Sequence, residues 1–182
     1  CYMMQRDTDN TVLSLFWTDA RSRLNYRLFG EIISFDTTYS TNKYNMPFAP
    51  IVGINGHGRT IVFGWALLQD ETSDTFVWLF ETFMEVMQWK KPGIILTDQD
   101  AGMKAAIPQV FPDALHRFCL WHIFKNMREN MSAYMATREK MEKHMMKCLL
   151  QSITVEEFEE SWEKFVLKYN CAGHALIKRM WE

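Results

Sequence analysis

Between residues 31 and 120, short β-branched and aromatic runs alternate with amphipathic stretches, and this order constrains the fold more than any other feature. The first three runs occupy residues 31–39, 48–55 and 60–68. A glycine-rich turn, Gly56–Arg59, joins the second run to the third and predicts an antiparallel hairpin. The remaining elements are predicted as a helix at 74–87, a strand at 94–97, a helix at 100–107 that Pro108 ends, and a strand at 115–120.

The order of these elements indicates the fold class. A strand, a helix and a second strand imply a right-handed crossover between parallel strands. Three antiparallel strands extended on one side by parallel strands are the arrangement of the ribonuclease H-like fold, in which the first and fourth strands are central neighbours. We therefore predict an α/β protein of the ribonuclease H-like type, with a mixed five-stranded sheet followed by a helical insertion.

Helical patterns fill the chain after this sheet, and a shorter one precedes it. The later helices are predicted at 121–133, 136–151, 154–169 and 172–182. Within residues 1–30, Thr18 or Asp19 is expected to cap a short helix that Gly30 ends. We accordingly divide the chain into an N-terminal flank (1–30), a core (31–133) and the start of a helical insertion (134–182).

The composition is that of a soluble globular protein, with 48% apolar and 23% charged residues. Four irregularly spaced cysteines argue against a secreted disulfide framework and favour a reducing compartment. No apolar run approaches the roughly 20 residues that span a bilayer, and we expect neither a membrane partner nor a small-molecule substrate. Neither Cys1 nor Glu182 carries a terminal signal, so we expect a fragment of a longer protein.

The charge pattern bears on nucleic-acid binding. The net charge of −2 provides no global basic field. Basic residues do occur in the later helices, but glutamates are interspersed with them, which predicts a solvated face of mixed charge. These basic residues are Lys125, Arg128, Arg138, Lys140, Lys143 and Lys147.

Two aspartates end predicted neighbouring strands. Asp36 lies near the end of the first strand and Asp98 at the end of the fourth, 62 positions later (98 − 36). Converging carboxylates form an oxygen-rich site for Mg²⁺, and a pair of such ions assists phosphodiester cleavage. The alternative is local, because an aspartate after a strand is often a turn or cap residue. Thr37, Thr38 and Asp100 are interpreted as local hydrogen-bonding residues.

A second candidate site is the Cys-x-x-His pair formed by Cys119 and His122. Such a pair supplies half of a tetrahedral zinc site. Its partners would be distant, with His116, His144 and Cys148 as candidates, and no second pair of suitable spacing occurs. The alternative is a packed cysteine beside a hydrogen-bonded histidine.

Several ordered motifs resemble one known family. The chain is similar to the Mutator-like (MULE) transposase domain, and more specifically to the plant far-red impaired response family of transposase-derived transcription regulators. The likeness runs over nearly the whole chain and is densest from 16 to 126. The motifs that carry it are residues 16–23 (FWTDARSR), 35–39 (FDTTY), 41–44 (TNKY), 46–49 (MPFA), 64–68 (GWALL), 70–72 (DET), 75–80 (TFVWLF), 97–100 (TDQD), 105–107 (AAI), 110–112 (VFP) and 116–123 (HRFCLWHI).

The resemblance implies a DDE transposase/integrase-type core that uses Mg²⁺ or Mn²⁺. Asp36 and Asp98 match the family's first two catalytic acids, and Cys119 and His122 match its Cys-x-x-His signature. The family's third acid follows the helical insertion, in a Glu-Ser-x-Asn type motif that does not occur before Glu182. This chain is therefore expected to be catalytically incomplete.

Three functions follow from the resemblance as hypotheses. The first is a nuclear transcription regulator whose core serves assembly and DNA engagement rather than cutting. The second is an active Mutator-like transposase that performs metal-dependent DNA cleavage and strand transfer. The third is a structural remnant that mediates dimerisation. For the full-length parent we expect DNA as partner, homo- or hetero-oligomers with family members, and zinc bound by domains outside this chain.

Overall fold

The computed structural model describes residues 1–37 and 42–181, and only the backbone of Arg179. Thr38, Tyr39 and Thr41, which belong to the predicted first strand or to the family motifs, lie outside the described residues. The described strands are β1 (Tyr2–Arg6), β2 (Val12–Trp17), β3 (Ile32–Phe35), β4 (Phe48–Ile54), β5 (Thr60–Leu67), β6 (Ile94–Thr97) and β7 (Leu115–Phe118). The described helices are α1 (Ala20–Phe29), α2 (Ser73–Val86), α3 (Ala101–Val110), α4 (Leu120–Ala136), α5 (Met141–Gln151), α6 (Val155–Tyr169) and α7 (Ala175–Trp181).

One mixed sheet organises the first part of the chain, in the strand order β1-β2-β5-β4-β3-β6-β7. The β3–β4–β5 meander is antiparallel, whereas β6 and β7 are added in parallel on the side of β3. This is the predicted ribonuclease H-like arrangement, with β3 and β6 as central neighbours, and the prediction of the fold class is confirmed. The described sheet has seven strands instead of the five predicted.

The two additional strands lie within residues 1–30, the predicted N-terminal flank. β2 pairs antiparallel with β5, with Leu15 opposite Leu67, and β1 pairs antiparallel with β2. Residues of β1 alternate between exposed and half-buried, so this edge strand has no buried run that would reveal it in the sequence. Because β2 joins a strand that is about fifty positions away, long-range pairing decides its place in the sheet.

The main core lies between one face of the sheet and helices α1, α2 and α3. Tyr26 of α1 is 1% exposed and packs edge to face on Phe63 and Phe83, with ring centroids 5.1 Å and 4.9 Å apart. Its hydroxyl donates a 2.7 Å hydrogen bond to the carbonyl of Lys90. Phe35 of β3 packs in the same way on Phe76 and Phe80 of α2, so the strand that precedes Asp36 is anchored by its last residue.

Backbone contacts divide the chain into two compact units, residues 1–119 and 120–182. The second unit contains α4–α7 around its own core, which includes Met127, Met145, Trp162 and Phe165. No helix of the described residues is long and apolar enough to cross a membrane.

One helix end differs from its prediction, and the structure selects one of the two N-caps predicted for α1. Pro108 does not end α3, which runs on to Val110, because proline in the last turn removes only one backbone hydrogen bond. Of the two caps proposed for α1, Asp19 is the one that accepts the N–H of Ser22, at 2.6 Å. α6 begins with a capping box between Thr154 and Glu157.

Candidate active site

Asp36 and Asp98 are each the first residue after a central strand. β3 and β6 are parallel, with Ile33 opposite Ile95 and Ser34 opposite Leu96. Continuing this register by two residues places Asp36 opposite Asp98, at the carboxyl ends of neighbouring strands. Both aspartates are half-buried. The structure therefore brings the two predicted acids to one edge of the sheet.

Hydrogen bonds between residues close in sequence hold the segment after β6 in place. The Asp98 Oδ1 atom accepts the backbone N–H of Asp100 at 3.0 Å. Asp100 in turn caps α3, because its Oδ1 accepts the N–H of Met103 at 2.9 Å. Asp100 thus has the local role expected for it, and it starts the helix that leads away from Asp98.

A hydrogen-bonded chain from β7 reaches the backbone of Asp98. The Thr97 hydroxyl donates to the carbonyl oxygen of Asp98 at 2.7 Å, and it also contacts His116 Nε2 at 2.8 Å. Since a hydroxyl has a single proton, His116 is the donor in the second bond and carries its proton on Nε2. Burial, and then the charges of Lys104 and Arg117, hold the pKa of His116 below its ordinary value. Burial and these charges therefore favour the neutral form of the imidazole at the strand end.

The segment after β3 is held by a residue that the sequence analysis did not single out as a site residue. The hydroxyl of Thr37 donates a hydrogen bond to the carboxylate of half-buried Glu71. Glu71 lies between β5 and α2, beside Thr72, whose hydroxyl caps α2. The backbone carbonyl oxygen of Glu71 also lies close to α3, because a Cβ added to Gly102 would be only 2.8 Å from this oxygen. No local pattern would have revealed Glu71, because its partner is 34 positions away.

The two aspartates provide the oxygen donors that Mg²⁺ and Mn²⁺ favour. Mg²⁺ is commonly held by one or two carboxylates, with water and substrate phosphate completing its coordination. Among residues 1–37 and 42–181, no group of three or more His, Cys, Asp and Glu side chains is arranged to hold a metal ion. Asp36 and Asp98 thus fit a two-carboxylate site, and their assignment as metal ligands remains a prediction.

The candidate zinc pair occupies the end of β7 and the start of α4. Cys119 follows β7, and its N–H donates to the carbonyl of Thr97 at 2.7 Å. His122 is half-buried in the first turn of α4. All four cysteines are free thiols. A zinc role for Cys119 and His122 likewise remains a prediction.

The distant partners considered for that pair have other contacts. His116 is bonded to Thr97, as described above. In the second unit, His144 Nδ1 is bonded to the hydroxyl of Tyr169, and Cys148 Sγ lies 3.3 Å from the carbonyl of Ser161. Within the described residues these three side chains are not gathered into a metal-binding group.

Comparison with known families identifies the core. The model of the MULE transposase domain matches residues 32–126, about half of the chain, and this range contains both aspartates and the Cys-x-x-His pair. The chain belongs to the MULE transposase domain family. The matched range begins at β3, so β1 and β2 of this MULE domain precede it and widen its sheet.

Plant relatives resemble the chain beyond the matched range. Protein FAR1-RELATED SEQUENCE 5 of Arabidopsis thaliana is 39% identical over 180 residues, which are 99% of this chain and 23% of that protein. FAR1-RELATED SEQUENCE 7 of the same plant is 35% identical over 181 residues, covering 100% of this chain and 23% of its own length. FAR-RED IMPAIRED RESPONSE 1, also from Arabidopsis thaliana, is 36% identical over 168 residues, which are 92% of this chain and 20% of that protein. The chain therefore spans about a quarter or less of these relatives.

Solved structures with a similar arrangement include retroviral integrase cores. The HTLV-2 integrase catalytic core domain in complex with magnesium matches with a TM-score of 0.35 and 16% identity, over 72% of this chain and 81% of that one. The catalytic core of BIV integrase matches with a TM-score of 0.34 and 11% identity, over 76% of this chain and 98% of that one. Because both scores are low, the ribonuclease H-like fold of this MULE domain is assigned from its strand order.

Proposed function

We propose that this MULE domain is the core of a nuclear transcription regulator of the far-red-response type, which engages DNA without cutting it. The observation that carries the proposal is the similarity to the far-red-response proteins of Arabidopsis thaliana, which extends over 92–100% of the chain. In such a regulator the core serves DNA engagement and assembly with family members. Zinc would be bound by other domains of the parent.

A second candidate function is that of an active Mutator-like transposase. The register that places Asp36 opposite Asp98 supports it, because two carboxylates at neighbouring strand ends offer oxygen ligands for a divalent cation. When bound, Mg²⁺ or Mn²⁺ would supply Lewis-acid activation of water and of the scissile phosphate. Asp36 and Asp98 would hold it, and the family's third acid would complete the set.

Neighbouring residues would have defined roles in either case. Thr37 and Glu71 fix the segment that bears Asp36, and Thr97 with His116 fixes the backbone at Asp98. In this proposal these four residues position the segments that carry the two carboxylates. In a regulator the same arrangement would persist as an inherited structural element.

A cleavage assay on the full-length parent separates the two functions. Terminal-repeat DNA would be incubated with Mg²⁺ or Mn²⁺ and with the wild type, Asp36→Asn or Asp9→Asn, the last being an exposed aspartate outside the site. The proposed regulator gives sequence-specific binding without cleavage, and Asp36→Asn still activates a reporter gene. Cleavage by wild type and Asp9→Asn, lost in a folded Asp36→Asn, would instead make the protein a transposase.

A further inference from the structure

A polar contact joins two helices of the second unit. His144 of α5 is hydrogen-bonded through Nδ1 to the hydroxyl of Tyr169, the last residue of α6. Tyr169 is buried and its ring lies against the imidazole, with centroids 5.8 Å apart. Because of this contact, the residues of α5 around His144 lie beside the C-terminal end of α6.

Four lysines surround this contact, and we call them the lysine face: Lys140, Lys143, Lys147 and Lys168. Lys143 and Lys147 are four positions apart on one side of α5, and Lys140 is the N-cap residue that precedes this helix. All four are exposed, and none forms an ion pair with another described residue. The nearby carboxylate of Glu142 is paired with Arg128, and exposed Glu139 precedes Lys140, so the four lysines outnumber the unpaired carboxylate beside them.

The electrostatic environment of His144 agrees with this arrangement. Burial lowers the pKa of His144, and the charges of Lys168, Lys140, Lys147 and Lys143 lower it further. Four like charges thus act on one imidazole. The four exposed lysines form a local cluster of positive charge in a chain whose net charge is −2.

A cavity of about 470 Å³ continues the lysine face between α5 and α6. Its lining includes Lys147 and Lys168, and two glutamates also border it. Glu160 is paired with Lys164, and Glu157 accepts the N–H of Ile153 at 2.9 Å as part of the cap of α6. Glu160 is thus offset by Lys164, whereas Glu157 keeps its negative charge, and Lys147 and Lys168 still give the cavity lining a net positive charge.

Negative charge is collected on a different side of α6. Glu156, Glu159 and Glu163 line a separate cavity of about 710 Å³ together with Trp162 and Trp181. These glutamates follow the i, i+3, i+7 spacing. The second unit therefore has a basic and an acidic side, and a polyanion approaching it would be turned toward the lysine face.

We propose that the lysine face binds the sugar–phosphate backbone of duplex DNA. This inference rests on the proposed function and adds to it the surface that engages DNA. Lys143 to Lys147 spans about 6 Å along α5, at about 1.5 Å per residue. Since each DNA strand carries one phosphate per about 3.4 Å of axis, this length matches about two successive phosphates, and Lys140 and Lys168 flank them. Lysine ammonium groups contact phosphates as point charges, so the binding is independent of sequence.

Salt-dependent binding to DNA tests this surface. The 182-residue chain would be titrated into a fluorescently labelled duplex of arbitrary sequence, and anisotropy would give the affinity over a series of salt concentrations. The test variant carries Lys143→Gln, Lys147→Gln and Lys168→Gln. The control carries Lys91→Gln, Lys125→Gln and Lys178→Gln, three lysines outside the lysine face. Both variants have a net charge of −5 (−2 − 3), and circular dichroism would verify that both fold.

In the test variant, the slope of log affinity against log salt should become less steep by about 2.7, since each of three lost phosphate contacts contributes about 0.9. Its affinity at low salt should fall more than about tenfold, while the control stays close to the wild type. Equal losses in both variants would overturn the proposal, as would a wild type that does not bind DNA. Tighter binding of a glutamate-rich peptide than of the duplex at equal salt would also overturn it.

The two proposals fail in distinguishable ways. If the wild type binds DNA and the test variant binds equally well, the lysine face is wrong while DNA engagement stands. If the full-length parent cleaves terminal-repeat DNA, the regulator is wrong, and the slope measured for the lysine face is unaffected.

Discussion

The hydroxyl of Thr37 donates a hydrogen bond to the carboxylate of Glu71, and this bond connects the residue after Asp36 to the loop that precedes α2. Asp36 is thereby supported from two directions. Phe35 anchors it to the core on one side, and Thr37 anchors it to Glu71 on the other. The position of this acid thus depends on a contact outside its own strand.

Breaking this contact should destabilise the first unit. Thr37→Val leaves the half-buried carboxylate of Glu71 without its hydroxyl donor, and hydrogen bonds to charged groups contribute about 1.5–3 kcal/mol. Urea denaturation of Thr37→Val, Glu71→Gln and the double variant would give the coupling energy. We expect coupling of about 1 kcal/mol or more. Strictly additive effects would mean that the two side chains do not interact in solution.

The buried hydroxyl of Tyr26 should contribute measurably to stability. Tyr26→Phe keeps the ring packed between Phe63 and Phe83 but removes the donor to the Lys90 carbonyl. The free energy of unfolding should fall by about 1–2 kcal/mol. Tyr44→Phe, at a ring that is 74% exposed, should leave it unchanged and serves as the control. A Tyr26→Phe variant as stable as the wild type would contradict the assigned hydrogen bond.

The stability of the first unit should decrease in mild acid because of His116. Its pKa is lowered in the folded state, by burial first and then by Lys104 and Arg117, whereas the unfolded chain takes up a proton near 6.5. Between these two pKa values the unfolded state binds more protons, so the contribution is complete above about pH 6.5 and is lost as the pH falls below it. Urea midpoints between about pH 7.5 and pH 5.5 would measure this loss.

His116→Gln is the matching variant for that measurement. An amide nitrogen can still donate to Thr97, but it does not titrate, so the urea midpoint should vary less with pH than in the wild type. His57→Gln, in the exposed turn between β4 and β5, is the control. Identical pH dependence in His116→Gln and wild type would assign the acid sensitivity to other groups.

Divalent cations should stabilise the domain through the two aspartates. Millimolar Mn²⁺ should raise the thermal midpoint of the wild type, by about 2–4 °C for each kcal/mol of binding energy. Asp36→Asn and Asp98→Asn should each abolish most of this rise, whereas Asp9→Asn should retain it. A rise of equal size in all three variants would show that Mn²⁺ binds elsewhere.

Local patterns in the sequence predicted much of this fold. The buried runs of β3, β4, β5 and β6 were recognisable because each is a short stretch of apolar residues bounded by turn signals. The order of these runs with α2 was sufficient to predict that β3 and β6 are parallel neighbours. For the same reason Asp36 and Asp98 were identified, since the first lies near the end of such a run and the second directly follows one.

The contacts that complete the candidate site were not predictable in this way. Thr37 and Glu71 are 34 positions apart, and His116 and Thr97 are 19 positions apart. No periodicity links residues at such distances, because each pairing exists only after the strands have been placed side by side. The lysine face has the same origin, since His144 and Tyr169 meet across 25 positions.

By itself, then, the sequence determined the strands β3 to β7, the helices and the acids near the strand ends, because these properties follow from neighbouring residues. Only the tertiary structure decided that β1 and β2 extend the sheet, since their pairing joins β2 to β5 across the chain. It also decided which side chains hold Asp36 and Asp98 in place and where positive charge gathers on the helical unit. These outcomes depend on packing between distant segments, where the free energy of a contact is gained only once the fold has formed.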